Sequence, residues 1–152
     1  MTVLINIDVP DLKRAVAFYT EAFDLKVIRR FGEDGAELAG WPVSLFLLEK
    51  PAGSIGAADQ PRTDERHWTP VHLDVAVEDL EAALDRALAA GFQADDLATD
   101  RQDPVAARTT IRHAAWGRIV RLADPYGHGW CLLQFSAAGY DAVATPHLSQ
   151  PH

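Results

Sequence analysis

The chain contains two copies of one strand-and-helix segment, and this repeat constrains its fold more than any other feature. Residues 3–12 (VLINIDVPDL) match residues 71–80 (VHLDVAVEDL) at an offset of 68 positions. Each copy has the pattern of an alternating strand followed by an acidic helix start and an amphipathic helix. A repeat of this length indicates one supersecondary unit used twice, with each copy burying the apolar face of the other.

The size and composition of the chain exclude several classes of protein. Its 152 residues suffice for one domain or two small fused modules, and 48% hydrophobic with 24% charged residues is ordinary for a soluble protein. We expect a cytoplasmic protein without a membrane partner, since the N-terminus lacks a signal-peptide pattern and no apolar run reaches the roughly 20 residues of a membrane helix. The single cysteine excludes an internal disulfide. A net charge of −8 without a basic stripe argues against a nucleic-acid partner.

The pattern of residues 1–50 predicts a first β-α-β-β-β module. Its first strand, residues 4–9, places Ile5, Ile7 and Val9 on one face and Leu4, Asn6 and Asp8 on the other. Asp11 is a typical N-cap residue, and apolar side chains then recur at helical spacing as far as Phe23. Strands are expected at 26–31, 36–40 and 43–50, with a hairpin turn at 32–35.

Residues 51–69 are rich in proline, glycine and charge and are predicted to link this module to a second one at 70–136. There the strand alternates again, with His72, Asp74 and Ala76 on its polar face. Asp79 caps the next helix and Gly91 ends it. Strands are expected at 92–97, 109–113, 118–123 and 129–135, with a mobile loop at 98–107, a turn at 124–127 and a tail at 137–152. The fold class is therefore α+β, with two tandem modules.

Residues 116–118 (WGR) and 124–130 (DPYGHGW), together with the two Val-x-Asp-Leu strand ends, resemble the vicinal oxygen chelate superfamily. That group includes glyoxalases, extradiol dioxygenases, fosfomycin-modifying enzymes and bleomycin-binding resistance proteins. The resemblance covers residues 3 to about 136. It implies that each module curls its sheet into a partial barrel and that the paired modules share a cleft.

The resemblance also implies four metal-ligand positions, which here are Leu4, Phe46, His72 and Cys131. Leucine and phenylalanine offer no lone pair, and the hard divalent ions of glyoxalases and dioxygenases prefer imidazole and carboxylate ligands. We therefore expect no metal site of the usual kind and no other cofactor. An alternative is a softer ion such as zinc on His72 and Cys131, with further donors from Asp74, Asn6 or Asp8.

His72 and Asp74 are the candidate catalytic residues. A carboxylate beside an imidazole can orient the ring and raise its basicity, as a general base requires. The alternative is a histidine that only forms hydrogen bonds in a polar cavity. Cys131 could act as a nucleophile with His72 as its base, or it could be a buried, inert thiol, since an acidic cavity raises a thiol pKa.

The expected ligand-binding residues combine polar and aromatic side chains: Asn6, Asp8, Phe46, Trp68, His72 and Cys131. The remaining tryptophans, including Trp41, are individually more typical of a core. An aromatic wall beside acidic groups favours a flat ligand, and it would also suit one that carries a positive charge. The preferred hypothesis is a metal-independent binding protein of the bleomycin-resistance type. The alternatives are an acid/base isomerase or lyase, and a metalloenzyme with a rearranged ligand set. A homodimer is expected from family habit alone.

Overall fold

The repeat forms two strand-and-helix modules in an α+β fold. The computed structural model describes residues 2–66, 71–95 and 110–145. Its elements, in chain order, are β1 Ile5–Val9, α1 Leu12–Phe23, β2 Lys26–Phe31, β3 Gly35–Ala39, β4 Leu45–Glu49, β5 Ile55–Ala57, β6 Gln60–Pro61, β7 Leu73–Ala76, α2 Leu80–Ala90, β8 Gln93–Ala94, β9 Arg112–Ala114, β10 Gly117–Ala123, β11 Gly129–Phe135 and a short 3₁₀ helix Gly139–Ala142.

The two α-helices begin in the same way because each follows the same capping aspartate. Asp11 has extended backbone angles and its side chain accepts a hydrogen bond from Arg14 N at 2.9 Å. Asp79 accepts one from Ala82 N, also at 2.9 Å. Such a cap contributes about 1 kcal/mol. Gly91 ends α2 in the left-handed conformation, with φ 112°, so the helix bounds predicted from the repeat are confirmed.

The first module forms a four-stranded sheet in the order β1-β4-β3-β2. β1 runs parallel to β4, and the other neighbouring strands are antiparallel. The face turned to the helices is apolar and buried: Ile7, Val9, Ala36, Leu38, Leu45 and Leu47. The opposite face carries Asn6, Phe46 and Glu37, which are register partners across β1, β4 and β3.

The second module repeats this arrangement in a five-stranded sheet. β7 runs parallel to β11, β11 pairs with β10, and β10 pairs with both β8 and β9. Asp74, Cys131 and Arg121 are register partners on one face, in the positions that Asn6, Phe46 and Glu37 hold in the first module. Within the described residues, neither sheet closes on itself.

The modules share one core, in which α1 packs against α2 and against both halves of the molecule. The polar centre of this core is Asp124, which is only 6% exposed. Its carboxylate accepts hydrogen bonds from the Tyr19 hydroxyl at 2.5 Å and Trp130 Nε1 at 2.9 Å. It also accepts from the backbone N atoms of Tyr126 at 2.8 Å and His128 at 3.0 Å. Asp124 therefore ties the first helix to the last hairpin.

Some elements differ from the sequence-based expectation. The predicted linker, residues 51–69, contains the two-stranded ribbon β5–β6. Of the predicted strand at 92–97, residues 92–95 are described and contain the strand Gln93–Ala94, and the predicted loop at 98–107 lies outside the described residues. The tail packs through Tyr140, whose ring lies 4.8 Å from Phe135 and 5.4 Å from Trp116. In the part of the chain that the structure describes, no helix is long and apolar enough to cross a membrane.

Candidate functional site

A cleft lies between the modules where the edge strands β1 and β7 face each other. One cavity of about 430 Å³ takes walls from both strands and from the turn before β11, and is lined by Ile5, Asn6, Ile7, Asp8, Val71, His72, Leu73, His128, Gly129 and Trp130. A second cavity of about 380 Å³ shares Ile5 and Leu73 with the first. Cavities of this size and position are typical of sites for small organic molecules.

The second cavity is predominantly apolar. Besides Ile5 and Leu73, its lining consists of Trp41, Pro42, Val43, Asp74, Val75 and Ala76. Trp41 is held in place by its ring contacts with Phe23 at 5.1 Å and Trp130 at 6.3 Å. A tryptophan fixed on one side by other rings presents a rigid surface to a ligand on the other. The sequence favoured a core position for Trp41, and the only signal for this second role was its place just before β4.

Asp74 brings His72 and Cys131 together at the polar end of the cleft. His72 Nε2 lies 3.1 Å from Asp74 Oδ1, and the three donor atoms of His72, Asp74 and Cys131 all lie within 4.8 Å of one another. Burial raises the pKa of the Cys131 thiol from its ordinary 9.0 to about 12, and the negative charge of Asp74 and a hydrogen bond to it add to the effect. Cys131 is therefore protonated at neutral pH, and the acidic surroundings argue against a nucleophilic thiol.

Two other predicted ligand-binding residues, Asn6 and Asp8, line the larger cavity. The Asp8 carboxylate already forms an ion pair with Arg62, with 2.6 Å between Oδ2 and Nε. His128 Nε2 lies 3.1 Å from the Asp8 carbonyl oxygen and so joins the two modules beside the cleft. Asn6 is exposed and carries no charge. Because the charge of Asp8 is balanced by Arg62, this wall is less acidic than the sequence suggested.

Phe46 lies on the same sheet face as Asn6, its register partner. Its ring stacks on Phe31, with the centroids 5.9 Å apart and the planes at 24°. The walls of the two cleft cavities come from other residues, so a role for Phe46 in ligand binding stays a prediction. The remaining predicted residue, Trp68, lies outside the described residues.

The structure adds three charged residues that the sequence did not single out as a group. A cavity of about 220 Å³ adjoins the polar end of the cleft and is lined by Arg66, His72, Asp95, Arg121, Gly129, Trp130 and Cys131. Arg66 pairs with Asp95, with 2.8 Å between Nη2 and Oδ2. The Arg121 position follows from the hairpin: because the turn leaves Ala123 opposite Gly129, Arg121 must lie opposite Cys131.

The residues present do not fit the hard-metal site that is usual for glyoxalases and dioxygenases. The family resemblance would place two of the ligands at Leu4 and Phe46, and neither side chain offers a donor atom. The cluster of His72, Asp74 and Cys131 supplies three donors, but its thiol does not suit hard ions such as Mn²⁺. One imidazole, one carboxylate and one thiolate with an open fourth position do suit Zn²⁺.

The paired modules and the cleft between them define a class of α+β proteins built from tandem β-α-β-β-β units. The chain belongs to the Glyoxalase/Bleomycin resistance protein/Dioxygenase superfamily, whose family model matches residues 3–132. This confirms the fold and the family expected from the Val-x-Asp-Leu repeat and the DPYGHGW segment.

The chain is similar in sequence to an uncharacterised protein and in fold to two solved structures. An uncharacterised protein of Mycobacterium bovis is 29% identical over 131 residues, which are 83% of this chain and 78% of that protein. The fosfomycin resistance protein FosX from Listeria monocytogenes, solved with Mn(II) and sulfate, has a TM-score of 0.63 at 16% identity, covering 91% of this chain and 92% of that one. TioX from Micromonospora sp. ML1 has a TM-score of 0.62 at 16% identity, covering 90% of this chain and 99% of that one.

Proposed function

We propose that the protein binds a small, flat and largely apolar molecule in the cleft between its modules, without the hard-metal site found in some members of its superfamily. The observation that carries the proposal is the cavity of about 380 Å³ with Trp41 as a rigid wall. Its position beside a second cavity of about 430 Å³ leaves room for a ligand that extends toward His72.

Binding in this cleft would be driven by removing apolar surface from water. Burial contributes about 25 cal/mol per Å² of apolar surface, and stacking on an aromatic ring adds about 0.5–1.5 kcal/mol. Because Trp41 is held by Phe23 and Trp130, little ordering of the wall is needed on binding. This favours a ring-containing ligand over a flexible chain.

Ligand binding can be tested by screening aromatic compounds for thermal stabilisation and then measuring affinity by calorimetry. We expect Val43→Asp to weaken the best compound at least about tenfold, because it places a charge in the apolar cavity. Val143→Asp is the matched control, since Val143 is 55% exposed in the tail. Equal affinities for the two variants, each folded by circular dichroism, would contradict binding in this cleft. Phe46→Glu tests separately whether Phe46 contributes to the site.

Zinc binding is a second candidate function, favoured by the three donor atoms within 4.8 Å. FosX is solved with Mn(II), but the thiol of Cys131 would make this chain selective for a softer ion. Such binding must displace the thiol proton. We would incubate the untagged protein with zinc, nickel, manganese and iron(II) and measure the metal retained. Retention of about one zinc that Cys131→Ser abolishes would support this candidate, and retention near zero for all four ions would contradict it.

Acid/base catalysis on a carbonyl compound is a third candidate, favoured by the 3.1 Å contact between His72 and Asp74. The carboxylate would fix the orientation of the imidazole, which would transfer a proton to or from a ligand in the larger cavity. The measurement is turnover by His72→Ala and Asp74→Asn once a substrate is found. Full turnover in His72→Ala would exclude this mechanism.

The expected homodimer also stays part of the proposal. Because both modules of the cleft come from one chain here, dimer formation is not required to bring β1 and β7 together. Light scattering coupled to size-exclusion chromatography would give the molar mass directly. A mass equal to that of one chain at all accessible concentrations would contradict a stable dimer.

A further inference from the structure

An exposed arginine, Arg121, lies beside the candidate site. Arg121 is the register partner of Cys131, which is the partner of Asp74, so the three side chains share one sheet face. Among the residues that the structure describes, none forms a hydrogen bond or an ion pair with the Arg121 guanidinium. Arg121 is exposed, and so its charge is available to a molecule that enters from solvent.

Arg121 stands where two cavities meet. It lines the 220 Å³ cavity together with Arg66, His72 and Cys131. It also lines a neighbouring cavity of about 160 Å³, whose other residues are Asp95, Thr110, Arg112 and Ile119. A ligand group that reaches beyond Cys131 from the cleft would therefore meet the Arg121 side chain.

The nearby carboxylates already have other partners, and neither forms an ion pair with Arg121. Asp95 accepts hydrogen bonds from Arg66 Nη2 at 2.8 Å and Nε at 3.3 Å. Asp74 contacts His72 at 3.1 Å and accepts the hydrogen bond from the Cys131 thiol. A guanidinium in this position is best suited to bind an oxyanion, because the oxygens match its planar set of N–H donors.

The first module lacks such a position. The residue that corresponds to Arg121 there is Glu37, which is 3% exposed. Glu37 is paired with Arg29, with 2.5 Å between Oε2 and Nε. The open cationic position is therefore a property of the second module, and it lies on the side of the cleft that carries His72, Asp74 and Cys131.

We propose that Arg121, flanked by Arg66, forms an anion-binding subsite that holds a carboxylate or phosphate group of the ligand. This inference rests on the proposed function, because it assigns the charged end of the molecule whose apolar part occupies the cleft. It also changes the charge expected for the ligand, which the sequence had suggested could be positive. Of the acidic groups that favoured a cationic guest, Asp8 forms an ion pair with Arg62 and Asp74 contacts His72, whereas Arg121 has no ion pair within the described residues.

Arg66 can be displaced without removing its charge, because its guanidinium lies against the backbone of Gly129. A Cβ atom at position 129 would come within 2.6 Å of Arg66 Nη2 and 3.1 Å of Arg66 Cζ. Gly129→Ala should therefore shift the Arg66 guanidinium while leaving its charge in the protein. We expect a partial loss of anion binding in this variant and a larger loss in Arg121→Gln.

The test uses benzoate, its neutral analogue benzamide, and inorganic phosphate as probes of the 152-residue chain. Affinities come from calorimetry, and the Nε–Hε resonance of Arg121 in NMR spectra reports contact directly. We expect benzoate to bind at least about tenfold more tightly than benzamide, which corresponds to about 1.4 kcal/mol. Arg121→Gln should abolish this preference and leave benzamide affinity unchanged. Arg30→Gln, an exposed arginine on the edge strand β2, is the control and should keep the preference.

The outcomes separate this inference from the proposed function. Binding of benzoate and benzamide with equal affinity would overturn the anion subsite and support the apolar cleft. A phosphate-induced shift of the Arg121 resonance without binding of either aromatic probe would support the subsite and contradict the cleft proposal. No response of Arg121 to benzoate or phosphate, or a preference for benzoate that survives Arg121→Gln, would overturn the subsite.

Discussion

The hydrogen bond between Tyr19 and Asp124 should contribute measurably to stability, because it joins the first helix to the last hairpin inside the core. Tyr19 is fully buried, and its hydroxyl donates to Asp124 Oδ2 at 2.5 Å. A hydrogen bond to a charged acceptor contributes about 1.5–3 kcal/mol. We therefore expect Tyr19→Phe to cost about 2 kcal/mol, which for a chain of this size lowers Tm by about 4–8 °C.

Replacing the carboxylate should cost more, because four donors converge on it. In Asp124→Asn the amide nitrogen would face at least one of these donors. If it took the place of Oδ2, the Trp130 indole N–H, which accepts no hydrogen bond, would be left unpaired in the core. Each carboxylate oxygen accepts from two donors, and a buried donor left unsatisfied costs about 1–3 kcal/mol, so the loss should exceed that of the single bond in Tyr19→Phe. The double variant should cost less than the sum of the single ones, since both remove the same bond.

The assay is urea unfolding followed by tryptophan fluorescence and circular dichroism. Tyr140→Phe is the matched control for Tyr19→Phe, because the Tyr140 side chain is 51% exposed. We expect Tyr140→Phe to change the free energy of unfolding by less than about 0.5 kcal/mol. If Tyr19→Phe were as mild as this control, or if the two core substitutions were additive, Asp124 would not be the polar centre of the core.

The same site makes a prediction about alkaline pH. Burial, followed by the charge of Asp124, raises the pKa of Tyr19 well above its ordinary 10.0. The unfolded chain therefore releases this proton at lower pH than the folded protein does, and stability falls as pH rises above about 10. Tyr19→Phe should flatten this decline. An identical alkaline decline in the wild type and Tyr19→Phe would show that Tyr19 does not cause it.

Two further predictions concern reactivity and backbone geometry. With its pKa raised to about 12, Cys131 should react with iodoacetamide at pH 8 far more slowly than it does in urea, and equal rates would contradict this. Gly117→Ala should lower the free energy of unfolding more than Gly53→Ala does. Both glycines have a positive φ, 150° at Gly117 and 78° at Gly53, and a side chain there costs about 1–3 kcal/mol. Only a Cβ atom at position 117 would also contact backbone, because it would lie 2.9 Å from Phe135 Cα. Equal unfolding free energies would show that the close contact is relieved.

The sequence predicted the fold well because the features that determine it are local. The capping aspartates Asp11 and Asp79 and the glycine that ends α2 act within a few residues of their positions. Period-two and period-3.6 apolar patterns then determine which faces are buried. The ribbon β5–β6 was missed because its strands, Ile55–Ala57 and Gln60–Pro61, are short, exposed and without alternation.

The site residues proposed from the sequence depend on the repeat and on the family resemblance, and their role stays a prediction. The offset of 68 residues aligns Leu4 with His72 and Asn6 with Asp74, and the resemblance assigns Cys131 by its distance along the chain from Asp124. Arg66 and Asp95 could not be assigned in this way, because they meet across 29 residues of sequence through packing of the linker on the last hairpin. Arg121 could have been found, since the register of the hairpin follows from the turn alone.

The two modules have kept the residues that the core requires and have diverged on the faces that it does not use. The apolar faces of β1 and β7 both pack toward the helices, so their pattern is restricted in both copies. The opposite faces have no such restriction, and they carry Asn6, Phe46 and Glu37 in one module but Asp74, Cys131 and Arg121 in the other. Polar chemistry in this cleft should therefore come from the second module, with the first module providing mainly an apolar wall.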